Sequence, residues 1–189
     1  SSPAVSPDGG TVFVGSRDGN LYAVSTGSGE KKWSYKTGGS VESTCSISPD
    51  GQTVFVGSMD GKMYAVVADT VQPATKMWDF ALGGAIESSP LMSPDGNTVY
   101  VGSSDGKLYA LAARAKTIKW SFATGGSVQA SPVLSPDGAI VFVGSSDKTL
   151  YAVTSSGMKA WSFETGGALL SAPVVSADGN TLYVGSTDN

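Results

Sequence analysis

The chain repeats itself, and the repeat limits its fold more than any other feature. Val-Gly-Ser closes at Ser16, Ser58, Ser103, Ser145 and Ser186, at spacings of 42, 45, 42 and 41 residues. A tryptophan recurs in step at Trp33, Trp78, Trp120 and Trp161, and Gly-Gly pairs follow at 38–39, 83–84, 125–126 and 166–167. Four units result, 1–42, 43–87, 88–129 and 130–170. A partial fifth, 171–189, matches residues 1–19 at 11 of 19 positions. No linker or change of composition divides the 189 residues, so they read as one segment.

Each unit predicts four short strands, which in the first unit fall at Ser2–Ser6, Thr11–Ser16, Leu21–Val24 and Lys32–Tyr35. These runs are rich in Val, Tyr, Phe and Thr, and turn residues bound them. Ser6-Pro7-Asp8-Gly9 joins the first two strands and returns at 48–51, 93–96 and 135–138. Pro presets φ, Asp tolerates the next position and Gly accepts φ > 0. The repeated Asp8, Asp50, Asp95 and Asp137 are therefore turn residues before they are calcium ligands. Asp-Gly makes the next hairpin at 18–19, 60–61 and 105–106. Asp147-Lys148 weakens that signal in the fourth unit. One short stretch, Ala110 to Lys116, carries a weak helical period.

The second strand is apolar on both faces, as in Val54-Phe55-Val56. A sheet with one wet face would alternate polar and apolar. Small four-stranded sheets repeated every 42 residues or so and stacked face to face describe an all-β fold, a β-propeller. A straight solenoid of hairpins is the competing architecture.

Several function classes are excluded by composition. Histidine is absent, which removes the usual general base and metal ligand. The lone Cys45 cannot form an intrachain disulfide, and it reads as a buried, inert thiol. A net charge of −4 and the lack of a basic run argue against nucleic acid as a partner. The longest apolar stretches, such as Leu108 to Ala113, are too short to insert in a membrane as a helix. The Gly-Gly pairs lack the Lys-Ser/Thr of a phosphate loop. Glu42, Glu87, Gln129 and Leu170 stand just before the first strands, which lie nearest a propeller's axis. Two carboxylates and an amide there are weak candidates for a cation, because calcium takes six to eight oxygens.

Tyr100-Val-Gly-Ser-Ser-Asp-Gly-Lys-Leu-Tyr-Ala110 followed by Trp120-Ser-Phe-Ala-Thr-Gly-Gly126 resembles the pyrroloquinoline-quinone-type (PQQ-like) propeller repeat, and the resemblance covers essentially the whole chain. The WD repeat is not matched. The family's tryptophan-docking motif, Ala-x-Asp-x-x-Thr-Gly-x-x-x-Trp, is kept in length between Ala23 and Trp33 and between Ala110 and Trp120. Its Asp is lost throughout: Ser25 and Ala112 take its place in units one and three. The resemblance implies that Trp33, Trp78, Trp120 and Trp161 pack between blades as structural wedges with fewer supporting hydrogen bonds.

Enzymes of this resemblance hold the quinone near the axis of about eight blades, with calcium and a catalytic carboxylate. Some stack it on a disulfide of adjacent cysteines. The four-and-a-half units here supply neither the blades nor the Cys pair. The expected function is therefore a non-catalytic scaffold or binding module, without a cofactor of its own. The alternatives are a fragment of a quinoprotein dehydrogenase, with quinone and calcium bound outside this segment, and a structural repeat protein of a surface assembly. The expected partners are a protein, the remaining blades of a longer chain, or a second copy in an eight- or nine-bladed ring. A small closed ring with residues 171–189 displaced is a further possibility. The insertion Ala68–Lys76 is the most distinctive candidate contact loop. Resembling proteins are often periplasmic or secreted.

Overall fold

Period-two strands separated by tight turns form hairpins, and hairpins in succession form meanders. That is the topology of the computed structural model, which describes residues 1–69 and 74–188. The first blade consists of β1 (Ala4–Val5), β2 (Thr11–Gly15), β3 (Asn20–Ser25) and β4 (Lys31–Lys36). The second consists of β5 (Ser46–Ile47), β6 (Thr53–Gly57), β7 (Lys62–Val67) and β8 (Lys76–Ala81). The third holds β9 (Leu91–Met92), β10 (Thr98–Ser103), β11 (Lys107–Ala112) and β12 (Ile118–Ala123). The fourth holds β13 (Val133–Leu134), β14 (Ile140–Gly144), β15 (Thr149–Thr154) and β16 (Lys159–Glu164). A two-stranded piece, β17 (Val174–Val175) and β18 (Leu182–Tyr183), ends the described chain. In every blade the strands pair antiparallel in sequence order. The weak helical period at Ala110 to Lys116 gives no helix: β11 runs to Ala112 and a turn follows, because pairing with β12 through Trp120 and Ile118 takes the backbone groups. Residues 70–73 of the insertion Ala68–Lys76 lie outside the described residues. Ala68 itself is buried in the core that the second blade shares with the first.

The core lies between blades. Phe13, Leu21, Ala23 and Trp33 of the first blade meet Val54, Val56, Tyr64 and Val66 of the second. Equivalent residues join the second blade to the third and the third to the fourth. This is why β6 and β10 are buried at every position, whereas β2, with no blade packed on its other face among the described residues, mixes buried and half-buried positions. At the other end β16 is exposed along its whole length.

After each fourth strand the chain crosses back over its own blade to begin the next. It passes directly over the glycine of Val-Gly-Ser. A Cβ on Gly102 would lie 2.5 Å from both Cγ1 and the carbonyl oxygen of Val128. The crossing segment is fixed there by a backbone hydrogen bond, Val128 N–H to Ser103 O at 3.0 Å. Val41, Ile86 and Leu169 repeat the bond in the other blades, onto Ser16, Ser58 and Ser145. The motif that marks the repeat is thus the place where two strands of backbone must touch.

Candidate functional site

The polar residues singled out by their repetition serve three structural networks. The first closes the Ser-Pro-Asp-Gly turns. Ser93 Oγ donates to Asp95 Oδ1 at 2.5 Å and accepts from Thr98 N–H at 2.9 Å, while Asn97 N–H donates to the same carboxylate at 3.0 Å. The Ser93 hydroxyl, followed by the Asn97 amide, holds the Asp95 carboxyl down at about 2. Asp8, Asp50, Asp137 and Asp178 are lowered for the same reason, first by the hydroxyls of Ser6, Ser48, Ser135 and Ser176. A serine beside a carboxylate here closes a turn: its hydroxyl proton goes to the carboxylate and its oxygen accepts a backbone N–H.

The second network joins blades at the Asp-Gly hairpins. Tyr64 Oη donates to Asp60 Oδ2 at 2.5 Å, and the same oxygen accepts from Gly38 N–H of the preceding blade at 2.9 Å. Tyr151, Asp147 and Gly125 repeat the arrangement between the third and fourth blades, at 2.8 and 2.6 Å. Tyr109 pairs with Asp105 at 2.5 Å, and burial together with that bond pushes its phenol up to about 12. The Gly-Gly pairs are therefore contact points for the next blade's Asp. The spacing Asp-Gly-x-x-Tyr is visible in the first three units, but its role across blades is not.

The third network runs along the first strands. Ser2 N–H donates to Thr44 Oγ1 at 3.2 Å, Thr44 N–H to Ser89 Oγ at 2.9 Å, and Ser89 N–H to Ser131 Oγ at 2.9 Å. Ala172 occupies the next equivalent position and has no hydroxyl. Sequence reasoning missed this relay. A hydroxyl residue at one spot in each unit was its only signal.

The tryptophans make the blade-to-blade contact at the periphery. Trp33 Nε1 donates to Ala68 O at 3.0 Å, Trp78 to Ala113 O at 3.1 Å and Trp120 to Ser155 O at 2.9 Å. Trp33 is fully buried, whereas Trp161 is 43% exposed and rests on Phe142 of its own blade. The sequence does not distinguish these four residues. The difference is that no third strand follows β18 in the described residues to receive the fourth.

The residues before the first strands divide. Gln129 Nε2 donates to Glu87 Oε1 at 2.9 Å. Glu42 turns instead to Arg17, 3.5 Å from its Nε, and Leu170 is exposed. Among the described residues no three His, Cys, Asp or Glu side chains come together around a metal position. One carboxylate held by an amide and another by a guanidinium do not fit calcium, which takes six to eight oxygen ligands, so no quinone–calcium chemistry is drawn from these residues. Cys45 is buried, and burial pushes its thiol up to about 12, so it is no nucleophile at neutral pH. An open cleft of about 320 Å³ lies between the turns of the first two blades, floored by Phe13 and Lys32. A similar one of about 380 Å³ lies between the third and fourth. These are grooves between repeats, polar at the rim. Among the described residues no helix is long and apolar enough to cross a membrane.

The family model described as outer membrane protein assembly factor BamB matches residues 1–74 and 65–189. No curated protein sequence matches the chain. Among solved structures, BamB from Moraxella catarrhalis superposes with a TM-score of 0.79 at 22% identity, over 97% of this chain and 54% of that one. This chain thus spans about half the length of that structure.

Proposed function

The chain belongs to the family of outer membrane protein assembly factor BamB, and on that premise we propose that it is a non-catalytic propeller scaffold that holds protein partners during the assembly of outer membrane proteins. The observation that carries this reading is the family match along the whole sequence. The chemistry of the repeats supports it. The turn hydroxyls and carboxylates bond to one another, the hairpin carboxylates bond to the adjacent blade, and the one thiol is buried and protonated. A surface built this way presents shape, rim charge and grooves, which is what a binding module needs.

The test is genetic and quantitative. The gene for the polypeptide that carries this segment is deleted in its source, and the outer membrane protein content is measured. A fall that is restored by the intact gene is the expected result. Unchanged content overturns the assembly role.

A further inference from the structure

The groove between the third and fourth blades differs from its sisters at its floor. The second strand of each blade carries one aromatic ring at an equivalent place: Phe13, Phe55, Tyr100 and Phe142. The first three of these pack toward the next blade, where phenylalanine serves as well as tyrosine. Of the four blades the third alone adds a hydroxyl there. Tyr100 is 3% exposed, and no well-formed hydrogen bond holds its hydroxyl among the described residues. Burial first, then the charge of Asp95, pushes the phenol up, while the Thr98 hydroxyl pulls it down, so the oxygen stands beside both. Thr98 Oγ1 is already engaged by Lys119 Nζ at 2.6 Å. Asp95, Thr98 and Tyr100 all line the cleft of about 380 Å³. A buried polar atom without a partner is costly, and this one opens onto a cavity.

Two turn carboxylates stand at the rim of the same cleft. The turn of the fourth blade rests on that of the third: a Cβ on Gly138 would lie 3.6 Å from Cγ of Pro94. Asp95 and Asp137 therefore line one groove. Each spends Oδ1 on its own turn, bound by Ser93 and Asn97 in one case and by Ser135 and Ala139 in the other. Asp95 Oδ2 accepts from its neighbour's side chain, Asn97 Nδ2, at 3.0 Å, and keeps a second lone pair. Asp137 Oδ2 has no partner among the described residues. Nor does an ion pair join Lys119 to either carboxylate among them.

The preceding groove shows what such a rim takes. Between the second and third blades, Arg114 Nη2 reaches across to Asp50 Oδ2 at 3.2 Å. Asp50 is the repeat equivalent of Asp95. The carbonyls that receive Trp78 and Trp120, those of Ala113 and Ser155, align Arg114 with Ser156 in the fourth blade. Ser156 is exposed, and its hydroxyl bonds only to Thr154 at 2.8 Å. The groove between the third and fourth blades thus keeps the carboxylate and lacks the guanidinium.

From this we infer that the groove between the third and fourth blades binds an arginine side chain of a protein partner. A guanidinium presents five N–H donors in one plane and no acceptor. The groove presents three oxygens for them, Oδ2 of Asp95, Oδ2 of Asp137 and the Tyr100 hydroxyl. Guanidinium is also more weakly hydrated than ammonium and leaves water at lower cost, which selects arginine over lysine. A divalent cation is not satisfied there, since calcium takes six to eight oxygen ligands. The chain's net charge of −4 draws a basic segment toward it. The inference deepens the scaffold reading and rests on it for the partner being a protein.

NMR of the intact polypeptide that carries this segment tests the site. The probe is a blocked five-residue peptide with arginine between glycines and serines, and its lysine analogue is the control. The expected result is saturable shifts at Thr98, Tyr100 and Gly138, with tighter binding of the arginine peptide. Ser156→Arg should abolish them, because it supplies a guanidinium where Arg114 stands in the preceding repeat. Tyr100→Phe should weaken binding about fivefold, the loss of one hydrogen bond. It should not lower the urea midpoint, because phenylalanine fills that place in the other blades. A lower midpoint, or unchanged affinity, overturns the role of the Tyr100 hydroxyl. Equal binding of both peptides, shifts spread over the turn carboxylates of every blade, or shifts that survive Ser156→Arg overturn the site in favour of general charge attraction. No binding at about 10 mM, ten times the dissociation constant of a millimolar complex, overturns it outright. The assembly role is read separately from the gene deletion and does not fall with it.

Discussion

At the scale of single residues, the turns are where chemistry can be moved without touching the core. Lys148 stands at φ 71°, a backbone conformation that ten of the glycines adopt and that no other non-glycine residue takes among the described residues. The left-handed region costs an L-residue roughly 1–2 kcal/mol. The hairpin still forms because Thr149 N–H and Tyr151 Oη both bond to Asp147. Lys148→Gly should therefore stabilise the fold by about 1 kcal/mol, after the entropy that glycine returns to the unfolded chain, read as a rise in the urea midpoint at constant slope. The turn carboxylates give a pH prediction with a definite sign. Their folded values are depressed, so their contribution is fully present above the unfolded value of about 3.9 and is lost as pH falls through the folded values. Asp95 sets the lower bound at about 2. The part of the stability that these turns contribute should be lost between those limits. Ser93→Ala should move the Asp95 titration, followed by carboxyl NMR, back up toward its ordinary 3.8. A titration that stayed near 2 in the variant would show that the Asn97 amide alone holds the charge.

At the scale of elements, the strands and turns were legible and the reasons for several residues were not. The alternation of Val, Tyr and Phe between Pro-Asp-Gly and Asp-Gly turns predicts each four-stranded meander, and the register follows from turn length. The glycine of Val-Gly-Ser was legible only as a marker. Its cause is the crossing segment that follows the fourth strand of the same unit, as Val128 does for Gly102, and one-dimensional spacing does not show which backbone will pass over which. Gly102→Ala should cost about 1–3 kcal/mol, because the new methyl meets a main-chain carbonyl on a segment that is itself held by a hydrogen bond. The same limit applies to the cation candidates before the first strands. Position before the first strand placed Glu87 near Gln129, but it did not reveal that Arg17 draws Glu42 away. The four tryptophans look equal in the repeat, and the fold makes them unequal. Trp78→Phe removes a buried donor to Ala113 O and should cost about 1 kcal/mol, read from the urea midpoint.

At the scale of the whole molecule, stability in a stack of repeats is a sum of blade terms and nearest-neighbour interfaces. A blade with two neighbours is held by two such interfaces and a terminal blade by one. The second and third blades have buried neighbours on both sides, shown by the complete burial of β6 and β10. The fourth blade ends in the wholly exposed β16, and only two short strands lie beyond it among the described residues. Local opening should therefore be graded along the chain rather than uniform. In dilute protein, amides of β16 and β18 should exchange with solvent at least roughly a hundredfold faster than those of β6 and β10, because their opening breaks fewer buried contacts.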